Sequence, residues 1–234
     1  MSNSPSALDL YAKVEDLLGV KEAAPRLYAH YLLALQAIDF RSLLDVGCGS
    51  GDFILQMQGV FPEVHFEGID LSPEMVRRAR GQGGEARCID LCDVTERYDV
   101  ITCVFDMLNY LAPEELPAFL NCLRERLNPG GVLLCDLNTL YGFEAVAVGA
   151  FMAEDDRRFV AIESDFEAGV YEADFTLFEK QGECWRKSSQ LIRQYYHSPE
   201  EIAGLLGADI AQRDPVTLYA EEPDKEFLVY TLPA

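Results

Sequence analysis

A glycine-rich turn between a short apolar segment and a helix constrains this 234-residue chain more than any other feature. The apolar run SLLDV is followed by GCGSG at residues 47–51 and then by a helical pattern. Gly47, Gly49 and Gly51 therefore stand, together with Asp45, at a strand-to-helix turn, where glycines let the backbone approach a ligand without a Cβ in the way. The turn predicts an α/β fold with a ligand beyond the end of the first strand.

The spacing of these glycines separates two classes of ligand. The nicotinamide-dinucleotide pattern is G-x-G-x-x-G, whose third glycine lets the helix pack beneath a pyrophosphate. In this chain the third glycine comes one position early and Asp52 follows it. The spacing favours an adenosyl ligand without a pyrophosphate, and a glycine turn with no ligand is the other interpretation.

Acidic residues follow the next two predicted strands. A strand over 65–69 ends at Asp70, and a strand over 86–89 ends at Asp90. A carboxylate at Asp70 is placed to accept hydrogen bonds from both hydroxyls of a ribose, although an N-capping or solvated aspartate has the same pattern. Asp90 is a candidate acceptor for an adenine amino group, with Leu91 packing on the ring.

Strands and helices alternate as far as residue 138. Predicted strands over 98–104 and 132–137 flank a helix over 113–127, and this alternation predicts right-handed crossovers and a parallel sheet. Closely spaced β segments over 159–195 predict antiparallel strands, before a last helix and closing strands. We expect an α/β, Rossmann-like fold: a seven-stranded, mostly parallel sheet with helices on both faces, plus a small antiparallel β insertion.

Five segments stand in the order and at the spacing of a known family. LLDVGCGSG, EGIDLSPEMV, CIDL, YDVITCVFDMLNYL and LRERLNPGGVLLCDLN resemble motifs of the class I S-adenosylmethionine-dependent methyltransferases, over about Arg41 to Asn138. The resemblance implies S-adenosylmethionine as methyl donor and S-adenosylhomocysteine as product. FDMLNY is most similar to small-molecule enzymes with an antiparallel insertion, a group that includes glycine and sugar-amine N-methyltransferases, and it differs from the N-P-P-Y and D-P-P-Y signatures of base and protein-glutamine methylation.

This resemblance also implies a set of donor-binding residues. Gly47 would lie near the methionine moiety, Met75 and Leu91 would flank the adenine, and Phe105 and Asp106 would border the transferring methyl. The predicted donor-binding residues are Tyr11, Arg26, Asp45, Gly47, Cys48, Gly49, Asp70, Leu71, Met75, Asp90, Leu91 and Phe105. Arg26 has a second interpretation as a surface residue, because exposed arginines are common.

One domain is expected over residues 1–234. Its predicted parts are a helical lead-in (1–38), a donor-binding core (39–139), an antiparallel insertion or lid (140–196), and a final helix with closing strands (197–234).

A sulfonium donor is already electrophilic, so the protein mainly has to align the acceptor in a dry pocket. For an alcohol or a protonated amine a base would help, and the candidate catalytic residues are Asp106, Tyr195 and His197. The insertion would supply the acceptor pocket, with contact candidates Asn138, Tyr141, Trp185, Arg193, Tyr195 and Tyr196. Residues 140–184 hold 11 acidic against three basic side chains, which suggests either an amine acceptor or simply a solvated charged surface.

The composition of the chain argues against nucleic acid, membrane and metal as partners. With 19 basic and 40 acidic residues the net charge is −21, which would repel nucleic acid. No apolar stretch approaches the roughly 20 residues that span a bilayer, and the N-terminus lacks a secretory pattern, so we expect a cytoplasmic protein without a membrane partner. Seven scattered cysteines without a C-x-x-C pair predict buried, reduced thiols and no metal site.

Two functions compete with methyl transfer at this stage. A noncatalytic module that binds S-adenosylmethionine would keep the same motifs. A nicotinamide-dependent oxidoreductase would have a related sheet, but the glycine spacing and the lack of a Tyr-x-x-x-Lys relay disfavour it.

Overall fold

The computed structural model describes residues 3–233, apart from the side chain of Pro5. The helices are α1 Pro5–Ala12, α2 Val20–Gln36, α3 Asp52–Val60, α4 Pro73–Gly81, α5 Leu116–Arg126 and α6 Pro199–Leu206. The strands are β1 Ser42–Val46, β2 His65–Asp70, β3 Ala86–Cys88, β4 Tyr98–Cys103, β5 Leu127–Asn138, β6 Gly149–Glu154, β7 Arg158–Glu167, β8 Val170–Gln181, β9 Cys184–Tyr195, β10 Asp209–Val216 and β11 Lys225–Thr231. Short 3-10 turns follow α1, β3 and β4.

The first sheet has seven strands in the order β10-β11-β5-β4-β1-β2-β3. Strands β1 to β5 pair in parallel, whereas β11 runs antiparallel to both β5 and β10. Consecutive residues of β1 face opposite sides: Leu43 packs with α2 and α3, and Leu44 packs with α5 and α6. Helices therefore cover both faces, which confirms the Rossmann-like class expected from the sequence.

The second sheet is antiparallel, with the order β6-β7-β8-β9. Val160, Phe175 and Ile192 form its inner apolar face, against which α1 packs through Ala7 and Leu10. This sheet follows β5 in the chain, so the antiparallel insertion is confirmed as part of the fold.

Helix α1 joins the two sheets. Asp9 accepts a hydrogen bond from the Ser72 hydroxyl at the start of α4, with the two oxygens 2.9 Å apart. Just before α1, the side-chain amide of Asn3 donates to the Arg193 carbonyl of β9 and accepts from the Arg193 backbone amide, both at 2.8 Å. The expected lead-in is thus two helices, because the chain turns at Gly19, whose φ is +77°.

One pair of cysteines differs from the sequence expectation of reduced thiols. Cys92, in the 3-10 turn after β3, forms a disulfide with Cys122 on α5, and their Cα atoms are 5.1 Å apart. Cys48, Cys103 and Cys135 are free and buried, as expected, while Cys88 and Cys184 are free and exposed.

Within residues 3–233, no helix combines the length and the hydropathy needed to cross a membrane. The same part of the chain has no group of three or more His, Cys, Asp or Glu side chains arranged to hold a metal ion.

Candidate active site

The glycine turn after β1 has left-handed backbone at three positions. The φ angles of Gly47, Gly49 and Gly51 are +76°, +52° and +84°, a region that side chains other than glycine rarely adopt. The Gly47 amide donates to the Ile69 carbonyl at 2.8 Å, which ties the turn to β2. A Cβ added at Gly47 would lie 2.7 Å from Cγ of Met107, so the turn also presses against the segment that follows β4.

Asp70 lies at the carboxyl end of β2, beside this turn. Its two carboxylate oxygens accept from the backbone amides of Gly49 (2.9 Å) and Ser72 (2.8 Å). Burial raises the pKa of Asp70, and the two amide donors oppose that rise. Because an ionised carboxylate has about four acceptor positions, it keeps capacity for the two hydroxyls of a ribose.

Asp45 is inside the sheet. Its side chain is 2% exposed and accepts from the Thr102 hydroxyl of β4 at 2.7 Å. Burial raises its pKa to about 7, and the negative charge of Asp70 adds to the rise. Asp45 therefore supports the turn from within and is not at the surface of the cleft.

The residues predicted to contact adenine divide into exposed and buried positions. Asp90 is exposed, and its side chain accepts from the Cys92 amide at 2.8 Å. Leu71 is 56% exposed, whereas Met75 and Leu91 are 6% and 2% exposed and pack into the core. The pairing of β2 with β3 brings Asp70 and Asp90 to the same edge of the sheet.

Tyr11 and Arg26, the two donor-binding residues predicted in the helical lead-in, have different neighbours. The Tyr11 ring meets the rings of Tyr110 and Phe175 edge to face, with centroids 6.5 and 6.3 Å away. Burial raises the pKa of Tyr11, and the charge of Asp106 raises it further. Arg26 is exposed and donates to the Leu218 carbonyl, so it ties α2 to the loop before β11.

Phe105 and Asp106 form a left-handed bend directly after β4. Their φ angles are +56° and +49°, and such backbone costs about 1 to 3 kcal/mol at a non-glycine residue. The bend is held by Asp136 of β5, whose carboxylate accepts from both backbone amides at 2.8 Å and from the Tyr31 hydroxyl at 2.7 Å. Asp136 is fully buried, and burial raises its pKa.

Lys225 is a charged residue in the interior, 2% exposed at the start of β11. Its Nζ contacts a carboxylate oxygen of Asp106, donates to Oδ1 of Asn138 at 2.8 Å and lies 3.6 Å from Oδ2 of Asp136. Burial lowers the Lys225 pKa, but the two carboxylates outweigh burial and leave it above its ordinary value. Gln194 Nε2 of β9 donates to the other oxygen of Asp106.

Four tyrosines lie within electrostatic reach of Asp106: Tyr11, Tyr110, Tyr171 and Tyr219. Burial is the main cause that raises the pKa of each phenol, and the charge of Asp106 adds to it. For Tyr219 the resulting pKa is about 12, although nearby Lys225 lowers it. These phenols are therefore uncharged at neutral pH, and all four lie near the carboxylate of Asp106.

Comparison with known proteins agrees with this architecture. Residues 43–131, which include the glycine turn, Asp70 and Asp106, match the family model described as a methyltransferase domain. This match agrees with the resemblance of the chain to class I S-adenosylmethionine-dependent methyltransferases over its first five parallel strands.

The curated proteins that this chain resembles are distant relatives. A malonyl-acyl-carrier-protein O-methyltransferase from Acetivibrio thermocellus is 26% identical over 179 residues, covering 72% of this chain and 57% of that protein. The chain spans about half the length of the curated relatives it matches.

Solved structures match over nearly the whole chain. An S-adenosylmethionine-dependent methyltransferase from Clostridium acetobutylicum is 21% identical, with a TM-score of 0.75 and coverage of 96% of this chain and 100% of that one. CalS10, an amino pentose methyltransferase from Micromonospora echinaspora solved with S-adenosylmethionine bound, is 25% identical, with a TM-score of 0.68 and coverage of 95% and 96%.

The three candidate bases lie in different surroundings. Asp106 lies beside the glycine turn, whereas Tyr195 follows Gln194 on β9 and so faces the opposite side of that strand. Burial raises the Tyr195 pKa, and the charge of Arg193 opposes that rise. His197 is 1% exposed and its Nε2 is 2.9 Å from the Leu111 carbonyl. A catalytic role for Tyr195 or His197 beside Asp106 stays a prediction.

Three of the acceptor-contact candidates line one cavity, and the others do not belong to its lining. Asn138 contacts Lys225, while Arg193 bonds Glu172 at 2.6 Å. Trp185 is 51% exposed at the far end of the β8–β9 hairpin. Tyr141 and Tyr196 line a cavity of about 260 Å³ that extends from Asn138 to Arg213 and Glu226.

Sequence reasoning missed three residues of this site: Lys225, Asp136 and Gln194. For Asp136 a signal was present, because it is an acidic residue within the apolar run VLLCDL of a covered strand. Lys225 and Gln194 gave no local signal, since each acts through residues far away in the chain.

Proposed function

We propose that this chain binds S-adenosylmethionine and transfers its methyl group to the nitrogen of a small-molecule amine. The sequence left a nitrogen or an oxygen acceptor open. The observation that carries the choice is the set of charged groups beside the glycine turn: two carboxylic acids, Asp106 and Asp136, face one ammonium, Lys225, so that acidic groups outnumber the basic one.

Donor binding rests on the turn and on Asp70. The left-handed glycines present a backbone surface without side chains, and Asp70 keeps acceptor capacity next to it. The solved neighbour CalS10, with S-adenosylmethionine bound, supports this assignment for the same fold. The spacing of the three glycines favours an adenosyl donor over a nicotinamide dinucleotide, because a pyrophosphate would need the third glycine one residue later.

When bound, S-adenosylmethionine supplies a methyl group on a positively charged sulfur, an electrophile that needs no further activation. Asp106 accepts the proton that an ammonium acceptor must lose before its lone pair can attack. The rings of Tyr11 and Tyr110 contact each other within electrostatic reach of Asp106, and such aromatic side chains would limit the access of water to that carboxylate. Gln194 holds the Asp106 carboxylate in one orientation, which is the alignment that methyl transfer requires.

A carboxylate acceptor fits this site poorly. The O-methyltransferase relative is named for a malonyl acceptor, whereas the neighbour CalS10 is named for an amino pentose. The acidic groups Asp106 and Asp136 would repel a carboxylate acceptor, because the ammonium of Lys225 is already bound to Asp106 and Asn138. An ammonium is attracted both by those acidic groups and by the faces of the surrounding tyrosines.

Donor binding is tested by calorimetric titration with S-adenosylhomocysteine. Asp70→Asn should weaken binding by about tenfold or more, because hydrogen bonds to a charged acceptor contribute about 1.5 to 3 kcal/mol. Asp209→Asn, an exposed position on β10, is the matched control and should bind as wild type does. Binding of NAD in place of S-adenosylhomocysteine would instead identify an oxidoreductase.

Acceptor class is tested with D-glucosamine, D-glucose and D-glucuronate, which share a ring and differ by an ammonium, a hydroxyl or a carboxylate. We expect glucosamine to bind the S-adenosylhomocysteine-loaded protein and to take up labelled methyl in preference to the other two. Asp106→Asn should abolish that preference. A preference for glucuronate would refute the amine assignment, and donor binding without transfer to any of the three would support a noncatalytic module.

A further inference from the structure

The buried ammonium of Lys225 lies outside the predicted set of donor-binding residues, yet it contacts three side chains of the candidate site. It contacts Asp106, Asn138 and, at 3.6 Å, Asp136. A buried ammonium is retained only where hydrogen bonds and counter-charges offset its desolvation. The contacts of Lys225 therefore indicate what this cation does there.

The two carboxylates around Lys225 differ in availability. Asp136 is 0% exposed and already accepts from Tyr31, Phe105 and Asp106, so it is committed to holding the bend after β4. The Asp106 side chain is 14% exposed and bonds only one group on each oxygen in the described contacts, Lys225 on Oδ1 and Gln194 on Oδ2. Asp106 is thus the carboxylate that can also meet an acceptor.

Without Lys225, the Asp106 carboxylate on the bend and the Asp136 carboxylate of β5 would repel each other without a counter-charge. The charge of Asp106 already raises the pKa of Asp136, so loss of the ammonium favours uptake of a proton by the pair. The left-handed backbone of Phe105 and Asp106 would also lose the counter-charge that holds the Asp106 side chain in place.

We infer that Lys225 is a positioning residue for methyl transfer: it offsets the charge of Asp136 and holds the Asp106 carboxylate oriented toward the acceptor amine. This inference rests on the proposed amine site. It adds a specificity element from β11, a strand outside the donor-binding part of the sheet.

The charge that faces an acceptor is set by few groups. The titratable groups around Asp106, from every element packed against it, are Lys225 (β11), Asp136 (β5), Tyr11 (α1), Tyr110 (the turn after β4), Tyr171 (β8) and Tyr219 (the loop before β11). The four phenols stay neutral through neutral pH because burial raises their pKa values. Only the two carboxylates and the ammonium therefore decide the charge.

Lys225→Met tests the inference, with Lys187→Met on the exposed side of β9 as matched control. Carboxyl carbon-13 NMR of aspartate-labelled protein should show a new titration between about pH 5 and 9 in Lys225→Met, absent from wild type and from the control. Glucosamine binding to the S-adenosylhomocysteine-loaded variant should weaken as the pH falls, by about tenfold per unit below that titration. Wild type measured in parallel corrects for the titration of glucosamine itself.

Three further measurements keep the test decisive. Lys225→Arg should restore most of the glucosamine binding, since it restores the positive charge. Should Lys225→Met fail to fold, the double variant Lys225→Met/Asp136→Asn removes one carboxylate with the ammonium and should show no new titration. Affinity for S-adenosylhomocysteine should stay close to wild type in all variants.

The outcomes separate the two proposals. If wild type does not bind S-adenosylhomocysteine or glucosamine, the proposed function fails. If it binds both and Lys225→Met has the same titration and the same pH dependence of glucosamine binding as wild type, the inference about Lys225 is refuted.

Discussion

The disulfide between Cys92 and Cys122 gives a stability prediction whose size follows from the chain. It closes a loop over a sequence separation of 30 residues, between the turn after β3 and α5. The chain-entropy model assigns about 3.6 kcal/mol to closing a loop of that length at 25 °C. For a chain of this size each kcal/mol moves the melting temperature by about 2 to 4 °C, so reduction should lower it by about 7 to 14 °C.

Differential scanning calorimetry with and without a phosphine reductant measures the effect. The Cys92→Ser/Cys122→Ser variant should melt at the temperature of the reduced wild type and should not respond to reductant. Cys184→Ser, which removes an exposed free thiol on β9, is the control and should keep the full response. A thiol count by mass spectrometry checks that reduction is complete.

Two melting-temperature results would contradict the predicted effect of the disulfide. If the fully reduced wild type melts within about 2 °C of the oxidised protein, the cross-link does not restrict the unfolded chain as the entropy model requires. A variant that melts well below the reduced wild type would show instead that serine disturbs the packing between the turn and α5.

Three further predictions concern the site. Gly47→Ala should weaken S-adenosylhomocysteine binding by about tenfold or more and lower the melting temperature, because φ is +76° and the new Cβ would meet Met107. The pKa of Asp45 is raised to about 7, so the folded state keeps the proton of this carboxyl to a higher pH than the unfolded state does. The free energy of unfolding of wild type should therefore fall by up to about 4 kcal/mol between about pH 4 and 7. Asp45→Asn should remove this pH dependence in urea titrations. Tyr31→Phe removes a 2.7 Å hydrogen bond to buried Asp136 and should cost about 1 to 3 kcal/mol in the same urea assay.

The donor side of the molecule was predictable because its signals are local. The glycine spacing, the acidic residues after two strands and the alternation of strands with helices each lie within a few neighbouring residues, and they indicated the class of sheet that the structure has. The bend at Phe105 and Asp106 gave no such signal, since the carboxylate that holds it comes from the next strand.

The acceptor side depends on contacts between distant residues. Lys225 meets Asp106 across 119 positions of sequence, and no periodicity reports such a pairing. On β9 the sequence singled out Tyr195, whereas its neighbour Gln194 reaches Asp106, because a shift of one residue changes the face of a strand. The disulfide was likewise missed, since its partners stand 30 residues apart without a recognisable pattern.

The tyrosines around Asp106 come from α1, the turn after β4, β8 and the loop before β11, while the donor turn and Asp70 come from one continuous stretch of chain. Under the proposed function, substitutions or even changes of length in those four scattered segments would therefore reshape the acceptor site without disturbing the donor turn. A fold divided in this way can acquire new substrates during evolution, or in the hands of an engineer, one peripheral segment at a time.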